Sequence, residues 1–261
     1  MTGKDGITRR RVVAIGGGLV LLGGLGGTGT ASEHDEEETD EGADDDYPTE
    51  SRARAAHLSP DAPDVDVYVD GDLVLEDATY PSVSDYVDLE PGTPTVSIVP
   101  AGQDVDQAVV EETIDVTDEE YPDGDYTVAA IGEVAAENQP LQALVLEDDN
   151  SPTEPGAARV RAVHASPDAP AVDVVVEETG DALFEDVAFG EFGYVDVPEG
   201  EYTLLIYPAG DRTEAVFEVD VSPAAGTVYS AFAVGYLTPE EAPADEPLDV
   251  ILTEDAAPGE A

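Results

Sequence analysis

The chain contains one passage twice. RAAHLSPDAPDVDVYV starts at Arg54 and RAVHASPDAPAVDVVV at Arg161, with twelve of sixteen positions identical. The parallel continues: LEDATYPSVSDYVDL from Leu75 matches FEDVAFGEFGYVDV from Phe184, YTVAAIG from Tyr126 matches YSAFAVG from Tyr229, and LQALVLED from Leu141 matches LDVILTED from Leu248. A duplication of this length demands one fold built twice, in units of about 100 residues, an ordinary domain size. Two units are too few for a solenoid. The expected organisation is two beads, residues 52–148 and 158–255, on a linker at 149–157 (DNSPTEPGA), with a short tail at 256–261.

Within a unit, hydrophobicity alternates. Val65, Val67 and Val69 share one side of a strand, as do Val172, Val174 and Val176. Period two with β-branched residues marks half-buried strands. Further strands are predicted at 82–89, 95–99, 108–116, 125–131 and 142–147, separated by EPG, PAG and PDG turns. Seven or eight short strands per unit predict an all-β chain of two tandem antiparallel β-sandwiches of immunoglobulin-like kind. A closed barrel is the alternative.

With 61 acidic against 9 basic residues the formal charge is -52. At molar salt the Debye length falls to about 3 Å, so such a surface suits a halophile, archaeal in type. Nucleic-acid binding is excluded, since phosphate contacts need clustered Lys and Arg. The chain has no cysteine, which removes disulfides, thiolate metal sites and cysteine nucleophiles.

The amino terminus carries Arg9 and Arg10 ahead of a glycine-diluted apolar run, 12–25, and small residues at Gly29, Thr30 and Ala31. This is similar to a twin-arginine (Tat) export signal, residues 1–31, cleaved after Ala31 to leave no stable membrane span. Residues 32–51 follow as an acidic spacer expected to be disordered. The expected location is extracellular or at the cell surface.

The string HxSPDAPxVDVxV followed by PAG resembles the secreted prokaryotic domain-of-unknown-function family 4397, often found in tandem. The resemblance implies exported β-rich envelope modules and no assigned catalytic residues.

The polar residues present in both copies are the site candidates: Arg54, His57, Ser59, Asp61 and Asp66, with Arg161, His164, Ser166, Asp168 and Asp173. Ser59-Pro60-Asp61 and Ser166-Pro167-Asp168 suit a turn whose serine and aspartate bond backbone. His57, Ser59 and Asp61 do not read as a triad, because alternate strand residues stand roughly 6.6 Å apart. Each histidine is expected at the core edge, bonded to the following turn. Arg54 is expected to meet Asp66, and Arg161 to meet Asp173, as exposed pairs worth about 0–1 kcal/mol if the first two strands pair. No cofactor is expected; a second reading places calcium on Asp61, Asp64 and Asp66, since hard oxygen ligands suit it. Tyr86 and Tyr194 read as packing residues. The expected function is a non-catalytic binding, adhesion or envelope-structural module, with an envelope component or extracellular polymer as partner. The alternatives are a calcium-assisted carbohydrate binder and, last, a secreted hydrolase. Oligomeric state is left open.

Overall fold

The computed structural model describes residues 51–90, 92–114 and 124–257. The export-signal region with Arg9 and Arg10, and the acidic spacer up to residue 50, lie outside the described residues. The first repeat comprises β1 (Arg52–His57), β2 (Val65–Val69), β3 (Asp72–Ala78), β4 (Ser82–Val83), β5 (Val87–Asp88), β6 (Thr95–Pro100), β7 (Val110–Thr113), β8 (Asp125–Ile131) and β9 (Gln142–Asp148). The second comprises β10 (Ala157–His164), β11 (Val172–Val176), β12 (Ala182–Val187), β13 (Phe192–Pro198), β14 (Tyr202–Pro208), β15 (Phe217–Val221), β16 (Val228–Val234) and β17 (Asp249–Ala256).

Each repeat is a two-sheet sandwich. In the second, β13-β10-β16-β17 faces β12-β11-β14-β15; in the first, β4-β1-β8-β9, with β5 also pairing β1, faces β3-β2-β6-β7. Pairing is antiparallel apart from β1 with β8 and β10 with β16, which run parallel. The β2-β3 hairpin turns on Asp70 and Gly71, both at positive φ, as a two-residue turn matching the strand twist requires.

The pairing corrects one expectation at the motif. β1 and β2 do not pair; they belong to opposite sheets, so SPDAP is the crossover between sheets and not a hairpin turn. A second correction concerns the beads. Side chains alternate along β1, so Ala53 and Ala55 enter the core of their own sandwich while Ala56 and the following Leu58 point away. That outer face is covered by the other repeat. Ala56, Leu58, Ala129, Ile131 and Leu146 form one buried cluster with Val163, Ala165, Phe232 and Val234. The two sandwiches therefore share a third hydrophobic layer, and every residue of β8 is buried.

Candidate functional site

The repeated motif staples one loop of its own repeat. Ser59 Oγ donates to the Gly132 carbonyl at 2.7 Å, and the Asp61 carboxylate accepts the amides of Val134 and Ala135 at 2.7 and 2.8 Å. In the second copy Ser166 donates to the Gly235 carbonyl, and Asp168 accepts the amides of Leu237 and Thr238. The partners are thus the loop after β8 or β16, across the sheet. Glycine is required there: Gly132 has φ +90° and a Cβ would sit 2.3 Å from the Pro140 carbonyl oxygen, with Gly235 matched against Pro247 at 2.2 Å.

His57 and His164 are buried and bond the turn that follows, Nε2 to the carbonyls of Pro63 and Pro170 at 3.1 and 2.9 Å. A carbonyl only accepts, so Nε2 carries the proton. Nδ1 is left without a partner in both. Burial pushes both imidazoles below the ordinary histidine value, outweighing the turn carbonyls. His57, Ser59 and Asp61 each go to a different backbone partner, so the structure does not bring them together as a proton relay.

Asp66 does not meet Arg54, and Asp173 does not meet Arg161. Asp66 lies in the other sheet, buried, where its carboxylate accepts the amides of Asp77 and Gly102, both at 2.9 Å. Asp173 likewise accepts the Asp186 amide and takes Arg212 Nε at 3.1 Å. Burial would raise its pKa, but the amide and Arg212 prevail and hold it below the ordinary carboxylate value. Asp64 is exposed. Asp61 and Asp66 are thus already engaged with separate stretches of backbone. Among the described residues no group of three or more His, Asp or Glu is placed to hold a metal ion.

The arginines instead meet each other's repeats. Arg54 reaches Asp255 at 2.8 Å with Nη2, and Arg161 Nη1 reaches Asp148. Each also donates through Nε to a hydroxyl of its own repeat, Arg54 to Thr127 and Arg161 to Ser230, both at 2.9 Å. Those hydroxyls donate in turn to Asp148 and Asp255. The result is a crossed, pseudo-twofold arrangement of two cations, two anions and two hydroxyls. The side chains of Arg161, Asp148 and Asp255 are 0% exposed. Tyr86 and Tyr194 close the flanks: Arg54 stacks 4.8 Å from the Tyr86 ring centroid and Arg161 5.5 Å from that of Tyr194. Burial would weaken the charge on Arg161, but Asp148 and Asp255 raise its pKa well above the usual guanidinium value. Burial pushes Tyr194 up to about 12, against the opposing pull of Arg161. The cluster has no net charge and no open face, so its chemistry is cohesion between repeats.

The sandwich interiors differ. The second holds an apolar cavity of about 280 Å³ between its sheets, lined among others by Val160, Val174, Phe184, Leu204, Val219 and Leu252. Val160, Leu204, Val221, Tyr229 and Ala231 are only half-buried, whereas their counterparts Ala53, Val96, Ile114, Tyr126 and Val128 are fully buried. In the first repeat β7 lies against β9 and shuts that side; β15 and β17 do not close in the same way. The first repeat also has a space of about 250 Å³ between its sheets, toward the β3 and β5 edge, where Ala53, Val67, Leu75 and Val96 line it together with Arg54, Ser84 and Asp85. An unfilled apolar void costs about 24 cal/mol per Å³ in core-truncation series, so leaving 280 Å³ empty forgoes several kcal/mol.

None of this was visible from motif spacing. The signal for the interface was the run TVAAI in β8, apolar at successive positions, which marks a strand covered on both faces. Asp148 and Asp255 were hidden among 61 acids, though both occupy the same place in the repeat.

No curated protein matches the chain by sequence. Among solved structures, the C-terminal domain of AlgF from P. aeruginosa shares 14% identity over 39% of this chain and 99% of that one, with a TM-score of 0.27. The Bacillus anthracis TIE protein shares 11% over 72% of this chain and 34% of that one (TM-score 0.23), and a family CBM26 module of Eubacterium rectale Amy13K, solved with maltoheptaose, 9% over 81% and 99% (TM-score 0.24). Scores this low carry no inference. The family model for the domain of unknown function DUF4397 matches residues 51–175 and 170–260. The chain belongs to the DUF4397 family, as a tandem pair of its domains.

Proposed function

We propose that the chain is an exported, non-catalytic binding protein of a halophile's envelope, in which two DUF4397 sandwiches act as one body. The observation that carries this reading is the use made of the repeated polar residues. Ser59, Asp61, His57 and Asp66, and their copies, are each engaged with backbone, and Arg54 and Arg161 with the inter-repeat cluster. What the duplication preserved is therefore cohesion, which suits a protein whose task is to hold a surface in place. Two modules fixed to one another present any paired binding surfaces at a set separation, which favours a repetitive polymer over isolated ligands. The twin-arginine segment and the charge of -52 support export into brine.

The test is saturable binding of the secreted chain to envelope preparations in molar KCl, with and without a calcium chelator. Saturable, chelator-resistant retention is expected. Absence of retention in either condition overturns the envelope reading, and retention only with calcium present restores the alternative in which an ion assists. Replacing Arg9 and Arg10 together by lysine is expected to leave the protein inside the cell; unchanged secretion would sink the export route.

A further inference from the structure

We propose that the cavity in the second repeat is a binding site for the alkyl or isoprenoid chain of an uncharged ligand. It deepens the reading of the chain as a binding protein by giving it a site. The cavity is nearly twice the size of an engineered cavity of about 150 Å³ that takes up benzene, which scales to a chain of about ten carbons. Its walls are almost wholly aliphatic and aromatic, with Tyr202, Tyr229 and Asp220 among the few polar members. No lysine or arginine lines it, so a carboxylate or phosphate drawn inside would lack a counter-charge and would meet Asp220. An anionic lipid is therefore disfavoured and a neutral one favoured.

The space between the first repeat's sheets is slightly smaller and more polar, with Arg54, Ser84 and Asp85 in its wall. The first repeat has the same strands with larger side chains at several corresponding interior positions: Val128 stands where the second has Ala231, Ile114 where it has Val221, and Leu89 where it has Val197. Where the first repeat carries Glu112 on β7, the second has Val219 in the cavity wall. Leu252, on the opposite strand β17, is 47% exposed, an apolar side chain at the open edge. His164 also lines the cavity, but its unpaired Nδ1 has a twin in His57 of the first repeat, so that nitrogen belongs to the motif and not to the ligand.

The experiment titrates the full chain in molar KCl with N-phenyl-1-naphthylamine, a neutral fluorescent apolar probe, and displaces it with 1-decanol or decanoate. One saturable site per chain is expected, with decanol displacing at least tenfold better than decanoate. The variant carrying Val197→Leu, Val221→Ile and Ala231→Val copies the larger side chains of the first repeat; it is expected to keep or raise the melting temperature and to lose at least tenfold in probe affinity. Leu252→Ser, in the cavity wall at its open edge, is a second variant, expected to weaken the probe several-fold. No saturable site, or full affinity in the folded triple variant, overturns the cavity as a binding site. Equal displacement by decanoate overturns the assignment of a neutral ligand. Probe binding without envelope retention would remove the envelope partner and keep the cavity; envelope retention with no probe site would do the reverse.

Discussion

The two repeats use nearly the same residues to close their loops and different residues to fill their interiors. Ser59 and Ser166, Asp61 and Asp168, and His57 and His164 make equivalent bonds. Tyr126 and Tyr229, by contrast, are the same residue in the same register, one sealed and the other partly accessible from the cavity. Loop stapling is a property of single residues with one geometry each. Core filling is a sum over many side chains, so it can drift by a methyl here and a methylene there until the sheets no longer meet. A shared motif thus says that two domains have the same frame, and very little about whether they have the same inside.

The largest expected effect comes from cutting what joins the repeats. Asp148→Ala leaves Arg161 buried without its closest carboxylate and is expected to cost about 3–5 kcal/mol, read from denaturant unfolding in molar KCl. Because the cluster spans both repeats, both should lose stability together; loss confined to the first repeat would show that they fold as separate beads. Next, Val128→Ala, at a fully buried position of the first repeat, should cost about 2 kcal/mol or more, while the mirror change Ala231→Val, in the cavity wall of the second, should raise stability by about 1 kcal/mol. If both changes destabilise equally, the interiors do not differ as described.

Asp66→Asn tests the frame. It weakens an acceptor of two buried amides and is expected to cost about 1–3 kcal/mol, where an exposed ion pair would have cost almost nothing. Smaller still is the effect of pH on the paired histidines. Their folded pKa values lie below the ordinary 6.5, so between that value and the lowered one the unfolded chain binds protons that the folded chain refuses. Stability should therefore fall as pH drops from 6.5 through that window and gain nothing further above it. Gln in place of His57 and His164 should flatten the slope. The smallest expected effect is that of a calcium chelator on melting temperature, which should be nil, since Asp61 and Asp66 already accept amides.

Much of the frame was readable. β2 and β8 begin and end where alternation and turns placed them, and the histidines bond the following turn as their parity suggested. β3 went unread because LVLED has no alternation; it is an exposed edge strand with an irregular register against β2. The pairing of Arg54 was misjudged because sequence neighbours were assumed to be sheet neighbours, whereas the chain leaves the sheet at SPDAP and β1 takes β8 as its parallel partner. The cavity could not be read at all, since no single position creates it.

The shared layer between the repeats also bears on how the chain descends. Corresponding positions there have diverged in opposite senses: Leu58 against Ala165, Ala129 against Phe232, Ile131 against Val234. A pair of first copies would bring two alanines to the position where the chain has one alanine and one phenylalanine, and a pair of second copies would bring two phenylalanines. The layer is filled by unlike side chains from the two copies. Either copy set against an identical twin is therefore expected to fill that layer less well than the two copies fill it together.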